Sequence, residues 1–329
     1  MLACAHHPEL GSFAYLRKSA LHVIDLASCR DRVVRRGVHG AFEFTSGGRI
    51  RIQRFSAAVD TADGRLAASV RATGKGKTAK QTIWVTDRRT GASHPVLSET
   101  QYYRRIGPGD TPGPIILLRW SGDDRWIFFT VDPGGSGSIA ADGLILRVVS
   151  AAGGPMHEIA WSLGSADYMA WCGGKLVLTA GNDRVAVQHK RLLVAAPPAW
   201  RAHPLARAPG RAWGSMACAP DGRSVVVQSQ PASNDASFLA THWQLWRVGL
   251  DGSRRQLTSP PPHYADESPR FSRDGRTIVF VRSRHGRGQV YALRGRRLTG
   301  PLLSLGYQLG FYGHQNWWTI ADWSLGAPR

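Results

Sequence analysis

The chain has 329 residues, of which 43% are hydrophobic and 20% are charged. This balance is that of an ordinary globular protein and excludes an intrinsically disordered chain. The 42 basic residues outnumber the 23 acidic residues, which gives a net charge of +19. Such an excess is typical either of a protein that binds polyanions or of a chain that uses Arg wherever a solvated cation is tolerated. Because the basic residues occur singly or in pairs along the chain, we favour the second interpretation.

The N-terminal residues bear on the compartment in which the protein works. No stretch of the chain reaches 18 consecutive apolar residues, so the sequence predicts no transmembrane segment. As written, the chain carries no apolar segment of a signal peptide, but Ala3-Cys4-Ala5 has the small-x-small form of a signal-peptidase site. We therefore expect an exported protein, whether periplasmic, bound to the cell wall or secreted, whose true start lies upstream.

The four cysteines show no spacing typical of a metal site and allow three disulfide pairings. A disulfide between Cys4 and Cys29 would hold the N-terminal segment in an oxidising compartment. Cys172 and Cys218 lie in apolar strand patterns, where buried free thiols are an equally good interpretation.

A strand–turn–strand unit recurs along the chain. In its clearest copy, Ser268–Arg282, the dipeptide Asp274-Gly275 separates two strand-like runs, and Asp-Gly is a favoured tight-turn sequence. Further copies occupy, in chain order, residues 61–69, 120–129, 171–178 and 218–227. A spacing of about 50 residues between copies is the signature of a repeat protein.

A second type of strand follows each turn and alternates apolar and polar residues with period two. Six such strands are present, at residues 21–26, 82–87, 144–149, 191–194, 244–250 and 289–293. Several are followed by a short turn and a last, more polar strand. The repeating unit is therefore a meander of four antiparallel strands.

Six meanders can bury both faces of each sheet by packing around an axis, which predicts an all-β protein and a six-bladed β-propeller. We expect a single domain over residues 1–329. The predicted blades cover roughly 10–45, 50–100, 113–162, 164–206, 213–260 and 264–305. The first blade lacks an inner strand, and residues 318–325 can supply it. We therefore predict that the C-terminal strand joins the first blade and closes the ring.

The run Phe271–Phe280, preceded by Asp266-Glu267-Ser268-Pro269 and followed by Gln289–Leu293, resembles the repeat of the TolB-like six-bladed β-propellers. The resemblance is strongest over residues 213–300 and implies the architecture, not an activity. We expect these 329 residues to hold no counterpart of the N-terminal α/β domain of TolB. The repeat is also similar to the propeller of prolyl-oligopeptidase-type peptidases, whose hydrolase domain we likewise do not expect in these residues.

Local catalytic motifs are missing from the sequence. It contains no Gly-x-Ser-x-Gly elbow, phosphate-binding loop, dinucleotide fingerprint or His-x-x-x-His pair, so we expect no catalytic residue and no cofactor. A propeller channel could still collect one metal ligand from each blade, and some TolB-like relatives resemble oligogalacturonate lyases with a His-rich metal site. A channel-bound divalent metal is therefore the alternative. The predicted inner strands begin instead with Arg119, Met169, Met216, Arg270 and Asp322.

Two segments supply candidate binding residues at the rim of the predicted channel. The first leads into an inner strand and contributes Tyr264, Asp266, Glu267 and Arg270. In the alternative, structural interpretation, its carboxylates accept backbone N–H groups or pair with Arg270.

The second segment is rich in aromatic residues and either plugs the channel or forms a contact surface. It contributes Tyr312, His314, Trp317 and Trp318.

These observations lead to one principal hypothesis and two alternatives. The principal hypothesis is a non-catalytic propeller of the cell envelope, expected to be a monomer, that binds a protein or peptide partner at one rim of its channel. The first alternative is a lyase or hydrolase that acts on a polysaccharide or lactone in the channel. The second is a protein that binds an anionic polymer, and it depends on the net charge alone.

Overall fold

The structure is a computed structural model that describes residues 6–38, 42–44, 50–52, 58–74, 80–97, 113–132, 143–233, 242–308, 313 and 315–326. Within these ranges the only helical elements are short 3-10 turns, at Pro8–Leu10, Ala166–Tyr168 and Trp317–Thr319. The all-β class predicted from the sequence is confirmed. No helix in the described part of the chain is long and apolar enough to cross a membrane.

In chain order, the strands of the first half are β1 (Ser12–Arg17), β2 (Ala20–Asp25), β3 (Arg30–Arg36), β4 (Phe42–Phe44), β5 (Ile50–Ile52), β6 (Ala58–Asp60), β7 (Leu66–Thr73), β8 (Lys80–Asp87), β9 (Ser93–Leu97), β10 (Ile115–Trp120), β11 (Trp126–Val131), β12 (Leu144–Ser150) and β13 (His157–Ser162). Those of the second half are β14 (Met169–Cys172), β15 (Lys175–Ala180), β16 (Arg191–Ala195), β17 (His203–Pro204), β18 (Arg211–Cys218), β19 (Ser224–Pro231), β20 (Gln244–Gly249), β21 (Arg254–Gln256), β22 (Ala265–Phe271), β23 (Thr277–Arg284), β24 (Arg287–Arg294), β25 (Arg297–Tyr307) and β26 (Ala321–Trp323).

The strands fall into two compact units. The first unit holds three four-stranded antiparallel sheets, with the orders β26-β1-β2-β3, β18-β19-β20-β21 and β22-β23-β24-β25, and the hairpin β4-β5. The second unit holds the sheet β6-β7-β8-β9 and a longer sheet that runs from β10 to β17. In the longer sheet a single residue pair, Ser162 and Ala180, joins β13 to β15, and β14 pairs with β15 beside this path.

The predicted tight turn is confirmed, and its hydrogen bonds show why the motif recurs. The Ser272 hydroxyl donates to the Asp274 carboxylate at 2.6 Å and accepts from the Thr277 amide at 2.9 Å, which holds the turn between β22 and β23. Gly275 takes a φ of 71°, a left-handed conformation that glycine adopts without steric cost. Thr61 and Ser121 make the equivalent bonds to Asp63 and Asp123.

The C-terminal strand lies in the same sheet as the first strand of the chain. In the pairing of β26 with β1, Phe13 lies opposite Trp323 and Tyr15 lies opposite Ala321. The rings of Phe13 and Trp323 stack, with centroids 6.0 Å apart, and the Trp323 indole donates to the carbonyl oxygen of Leu10 at 2.7 Å. The two ends of the first unit are thus joined by backbone pairing and by a buried aromatic contact.

The sequence left open whether the cysteines are free thiols or form disulfides, and the structure distinguishes these alternatives. Cys29, Cys172 and Cys218 are all disulfide-bonded, and the described residues include no free cysteine. The interpretation of Cys172 and Cys218 as buried free thiols is therefore wrong. Apolar surroundings suit a thiol and a disulfide equally, so the strand pattern around them could not distinguish the two states.

Replacing Trp323 by Ala should lower the free energy of unfolding by about 3–5 kcal/mol, because it leaves a cavity beneath Phe13 and removes the bond to Leu10. Chemical denaturation followed by tryptophan fluorescence measures the change. The matched control is Trp161→Ala, since Trp161 is 50% exposed and its loss should cost no more than about 0.5 kcal/mol. Equal losses in the two variants would contradict the role assigned to Trp323.

The disulfides predict that iodoacetamide will not label Cys29, Cys172 or Cys218 in the purified protein, even in denaturant, until a reductant is added. Peptide mapping by mass spectrometry gives the result for each cysteine. The same sample, reduced before labelling, is the control and should be modified at all three positions. Labelling of any of them without a reductant contradicts the prediction.

Candidate binding site on strand β22

Strand β22 carries three of the predicted binding residues, Asp266, Glu267 and Arg270, and Tyr264 directly precedes it. A bulge interrupts the strand. Glu267 lies opposite Val281 and Arg270 lies opposite Val279, so Ser268 and Pro269 have no separate partners on β23. Ser268 has a φ of 50°, in the left-handed region. The bulge ends the regular alternation of the strand. As a result, the side chains of both Glu267 and Arg270 contact the C-terminal segment 317–322.

Asp266 forms a bidentate ion pair with Arg282 of the neighbouring strand β23. The Arg282 Nε lies 2.7 Å from Oδ1 and its Nη2 lies 2.9 Å from Oδ2. Asp266 is fully buried, and the Arg282 guanidinium also lies 4.9 Å from the centroid of the Tyr291 ring. A buried carboxylate needs such a partner, because an unpaired charge in the interior is strongly destabilising.

Glu267 is the least satisfied acidic group of the site. Its Oε2 accepts hydrogen bonds from the Ser283 hydroxyl at 2.7 Å and from the Trp317 indole at 2.9 Å. Its Oε1 is buried and has no hydrogen-bond partner among the residues that the structure describes. Burial raises the pKa of Glu267 to about 7, and the negative charge of Asp266 acts in the same direction. Glu267 can therefore gain or lose a proton near neutral pH.

Arg270 links β22 to the C-terminal strand. Its Nη1 donates to Oδ1 of Asp322, and its Cζ lies 4.1 Å from the centroid of the Trp318 ring. The Trp318 indole donates to the carbonyl oxygen of Ser268 at 2.7 Å, and Oδ2 of Asp322 accepts from the backbone amide of Phe44. The ion pair is thus enclosed by an aromatic ring and by two further backbone contacts.

Gln228 connects this group to the neighbouring sheet β18–β21. Its Oε1 accepts from the Ser215 hydroxyl at 2.6 Å and from the Ser268 amide at 3.1 Å. Ser215 lies in a bulge of β18, between Trp213 and Met216, so bulges on two neighbouring strands meet at one glutamine. Sequence reasoning missed Gln228 and Ser283, because nothing local marks the residues that will face a bulge on another strand.

The structure brings most of the predicted site residues together. Asp266, Glu267, Arg270, Trp317 and Trp318 are all buried and hydrogen-bonded to the network around β22. The two indoles point into the protein and do not form an exposed aromatic face.

Tyr264 lies at the start of β22 and is half-buried. The guanidinium of Arg284 lies 5.4 Å from the centroid of its ring, and its carbonyl oxygen accepts from Nδ1 of His242 at 2.8 Å. Among the predicted site residues that the structure describes, Tyr264 is the most accessible to solvent. Tyr312 and His314 lie outside the described residues.

One detail of the structural alternative is wrong. The carboxylates of Asp266 and Glu267 do not pair with Arg270, because Arg282 lies directly opposite Asp266 in the strand register. The bulge turns Arg270 towards Asp322 instead.

In the described part of the chain, no group of three or more His, Cys, Asp or Glu side chains is placed to hold a metal ion.

Comparison with solved structures finds proteins that are similar to most of the chain. TolB from Acinetobacter baumannii is 16% identical, with a TM-score of 0.46 over 89% of this chain, which spans 62% of the length of that protein. A putative TolB from Agrobacterium tumefaciens is 15% identical, with a TM-score of 0.48 over 92% of this chain and 91% of that one. An oligogalacturonate lyase from Vibrio parahaemolyticus is 11% identical, with a TM-score of 0.48 over 88% of this chain and 72% of that one.

No protein-family model and no curated protein sequence matches the chain. These solved structures are similar to the chain with TM-scores below 0.5 and at 16% sequence identity or less.

The raised pKa of Glu267 makes stability depend on pH in a defined direction. In the unfolded chain the carboxyl loses its proton near its ordinary pKa of 4.5, whereas in the folded protein it keeps the proton up to about pH 7. Between these values the folded state binds more protons than the unfolded state. The stabilisation is therefore fully present below pH 4.5 and is lost as the pH rises through 7.

We expect Glu267→Gln to remove this pH dependence, which amounts to about 3 kcal/mol of unfolding free energy between pH 4 and pH 8. Denaturant titrations of both proteins at several pH values give the difference. The control is Glu9→Gln, an exposed carboxyl whose pKa is lowered by a backbone hydrogen bond, so it acts below this pH range. If wild type and Glu267→Gln lose stability in parallel as the pH rises, Glu267 is not the responsible group.

Proposed function

We propose that this chain is a six-bladed β-propeller of the cell envelope that binds a protein or peptide partner without catalysing a reaction. The proposed blades are the four separate four-stranded sheets and the two halves of the long sheet, β10–β13 and β14–β17. Counting these halves separately is supported by the single residue pair that joins β13 to β15. The pairing of β26 with β1 supports a ring that is closed by strands from both ends of the chain.

The observation that carries the binding proposal is the state of Glu267. A carboxylate oxygen that is buried and lacks a hydrogen-bond donor is costly, and such a group in a folded protein calls for an explanation. Oε1 of Glu267 is in this situation among the described residues, while Oε2 already holds two donors. When Glu267 is ionised, a peptide N–H group or an ammonium group from a partner would supply the missing donor. In the proposed ring, β22 is an inner strand and Tyr264 marks the rim from which a partner would approach.

The disulfide state supports the cellular location. Disulfides persist in oxidising compartments and are rare in reducing ones. Because Cys29, Cys172 and Cys218 are all disulfide-bonded, a periplasmic, cell-wall or secreted protein fits the chain better than a protein of the reducing cytosol. The proposed partner is therefore a component of the envelope.

Site-specific photocrosslinking tests the proposal. With p-benzoylphenylalanine in place of Tyr264, irradiation of intact cells of the source species should give one discrete crosslinked product, which mass spectrometry identifies. The control places the same group at Trp161, an exposed aromatic residue of the second unit. Addition of Glu267→Ala to the Tyr264 probe should reduce the yield, because the partner loses its acceptor.

Two results would contradict the proposed function. The first is the same set of products from both probe positions, which would indicate collision and not binding. The second is a product with twice the mass of the chain, which would identify the partner as another copy of the same protein.

A further inference from the structure

Strand β3 is the outermost strand of its sheet, and all seven of its residues are exposed. Its sequence is Arg-Asp-Arg-Val-Val-Arg-Arg, so four of the seven side chains are guanidinium groups, those of Arg30, Arg32, Arg35 and Arg36. None of these four forms an ion pair with a residue that the structure describes. The strand therefore presents a row of positive charge to solvent.

The one acidic residue of β3 offsets only one of these four positive charges and is hydrogen-bonded within its own sheet. The Asp31 carboxylate accepts a hydrogen bond from the Tyr15 hydroxyl at 2.7 Å and lies 3.2 Å from Nδ1 of His22. Burial and this bond raise the pKa of Tyr15 well above its ordinary value, so Tyr15 stays a donor to Asp31. The Asp31 carboxylate therefore contacts side chains of β1 and β2, the two strands next inward from β3 in its own sheet.

The middle of the strand is apolar. Val33 and Val34 are 44% and 46% exposed, and the register between β2 and β3 shifts at this point. Valine is a strand-forming residue that usually packs against a neighbour, and here the outer side has none among the described strands.

An exposed strand edge can pair with another strand, and charge decides which strand it accepts. In an antiparallel pair of β3 strands centred on Val33, Arg30 would lie opposite Arg36 at both ends, which is destabilising. Each copy also carries a net positive charge, so the two strands would repel each other. A strand with carboxylates at alternate positions would meet the guanidinium groups instead and would also cover the two valines. The charge of the edge therefore favours an acidic segment over a second copy of β3.

We propose that the outer edge of β3 binds an extended acidic peptide segment, which adds to the sheet β26-β1-β2-β3 as a fifth strand. Main-chain hydrogen bonds would hold the segment, and Arg30, Arg32, Arg35 and Arg36 would select it by charge. This surface shares no residue with the network around β22, so it is a second binding site that does not depend on the proposed function.

The direct test uses the full chain and a fluorescein-labelled peptide of alternating Glu and Val residues, followed by fluorescence anisotropy. We expect saturable binding that weakens as salt is added, because exposed charge pairs are screened. Arg32→Glu/Arg35→Glu should weaken binding about tenfold or more, the equivalent of at least one good charge pair. The control Arg296→Glu/Arg297→Glu removes the same charge from two exposed positions, the last residue before β25 and the first residue of β25, and should change the affinity less than about twofold.

Two further probes on the wild-type chain separate strand addition from simple charge attraction. The same peptide with N-methyl groups on alternate amides keeps its charge but loses main-chain donors, so it should bind much more weakly. Sodium polyphosphate carries negative charge without any peptide group. The proposal is overturned if the N-methylated peptide or polyphosphate binds as tightly as the unmodified peptide, since β3 would then be a general polyanion surface. It is also overturned if both arginine-pair variants bind the unmodified peptide like the wild type.

Discussion

The C-terminal segment 317–323 holds the first unit of the protein together. Within seven residues it inserts three buried indoles and one carboxylate among strands from two sheets. Trp317 donates to Glu267, Trp318 covers Arg270, and Trp323 stacks on Phe13. Because backbone pairing with β1 accompanies these contacts, the segment cannot leave without exposing a large apolar area and separating an ion pair.

Around this segment the protein buries charge in pairs, and the pairs differ in how completely they are satisfied. Asp266 has a bidentate arginine, and Asp322 has both Arg270 and a backbone amide. Glu267 has only neutral donors, and those on one of its two oxygens. Neutral donors stabilise a carboxylate less than a guanidinium does, so burial dominates and the proton is held more tightly. The same imbalance leaves Oε1 of Glu267 without a hydrogen-bond donor among the described residues.

The large positive charge of the chain is distributed in two different ways. In the interior, Arg270 and Arg282 serve as partners for buried carboxylates and lie against aromatic rings. On β3, arginines stand in solvent on a sheet edge without acidic partners in the described structure. The first use compensates buried carboxylates, whereas the second leaves exposed positive charge on the edge of a sheet. The net charge alone could not separate these uses, because it counts both kinds of arginine equally.

Much of the architecture could be predicted from the sequence because it depends on residues close together in the chain. The tight turn at Ser272–Thr277 is closed by hydrogen bonds that span no more than five residues. The residues that form the turn can therefore be recognised as a local motif in the sequence. The placement of residues 318–325 beside the first strand joins distant parts of the chain. It could still be predicted because the count of strand types left the first blade one strand short, and the pairing of β26 with β1 agrees with it.

Only the tertiary structure decided which charges meet. The bulge at Ser268 and the register between β22 and β23 assign Asp266 to Arg282 and Arg270 to Asp322. The same holds for the disulfide state of Cys172 and Cys218 and for the inward direction of Trp317 and Trp318. The two ion pairs join residues on different strands, and a shift of one residue in strand register would change their partners.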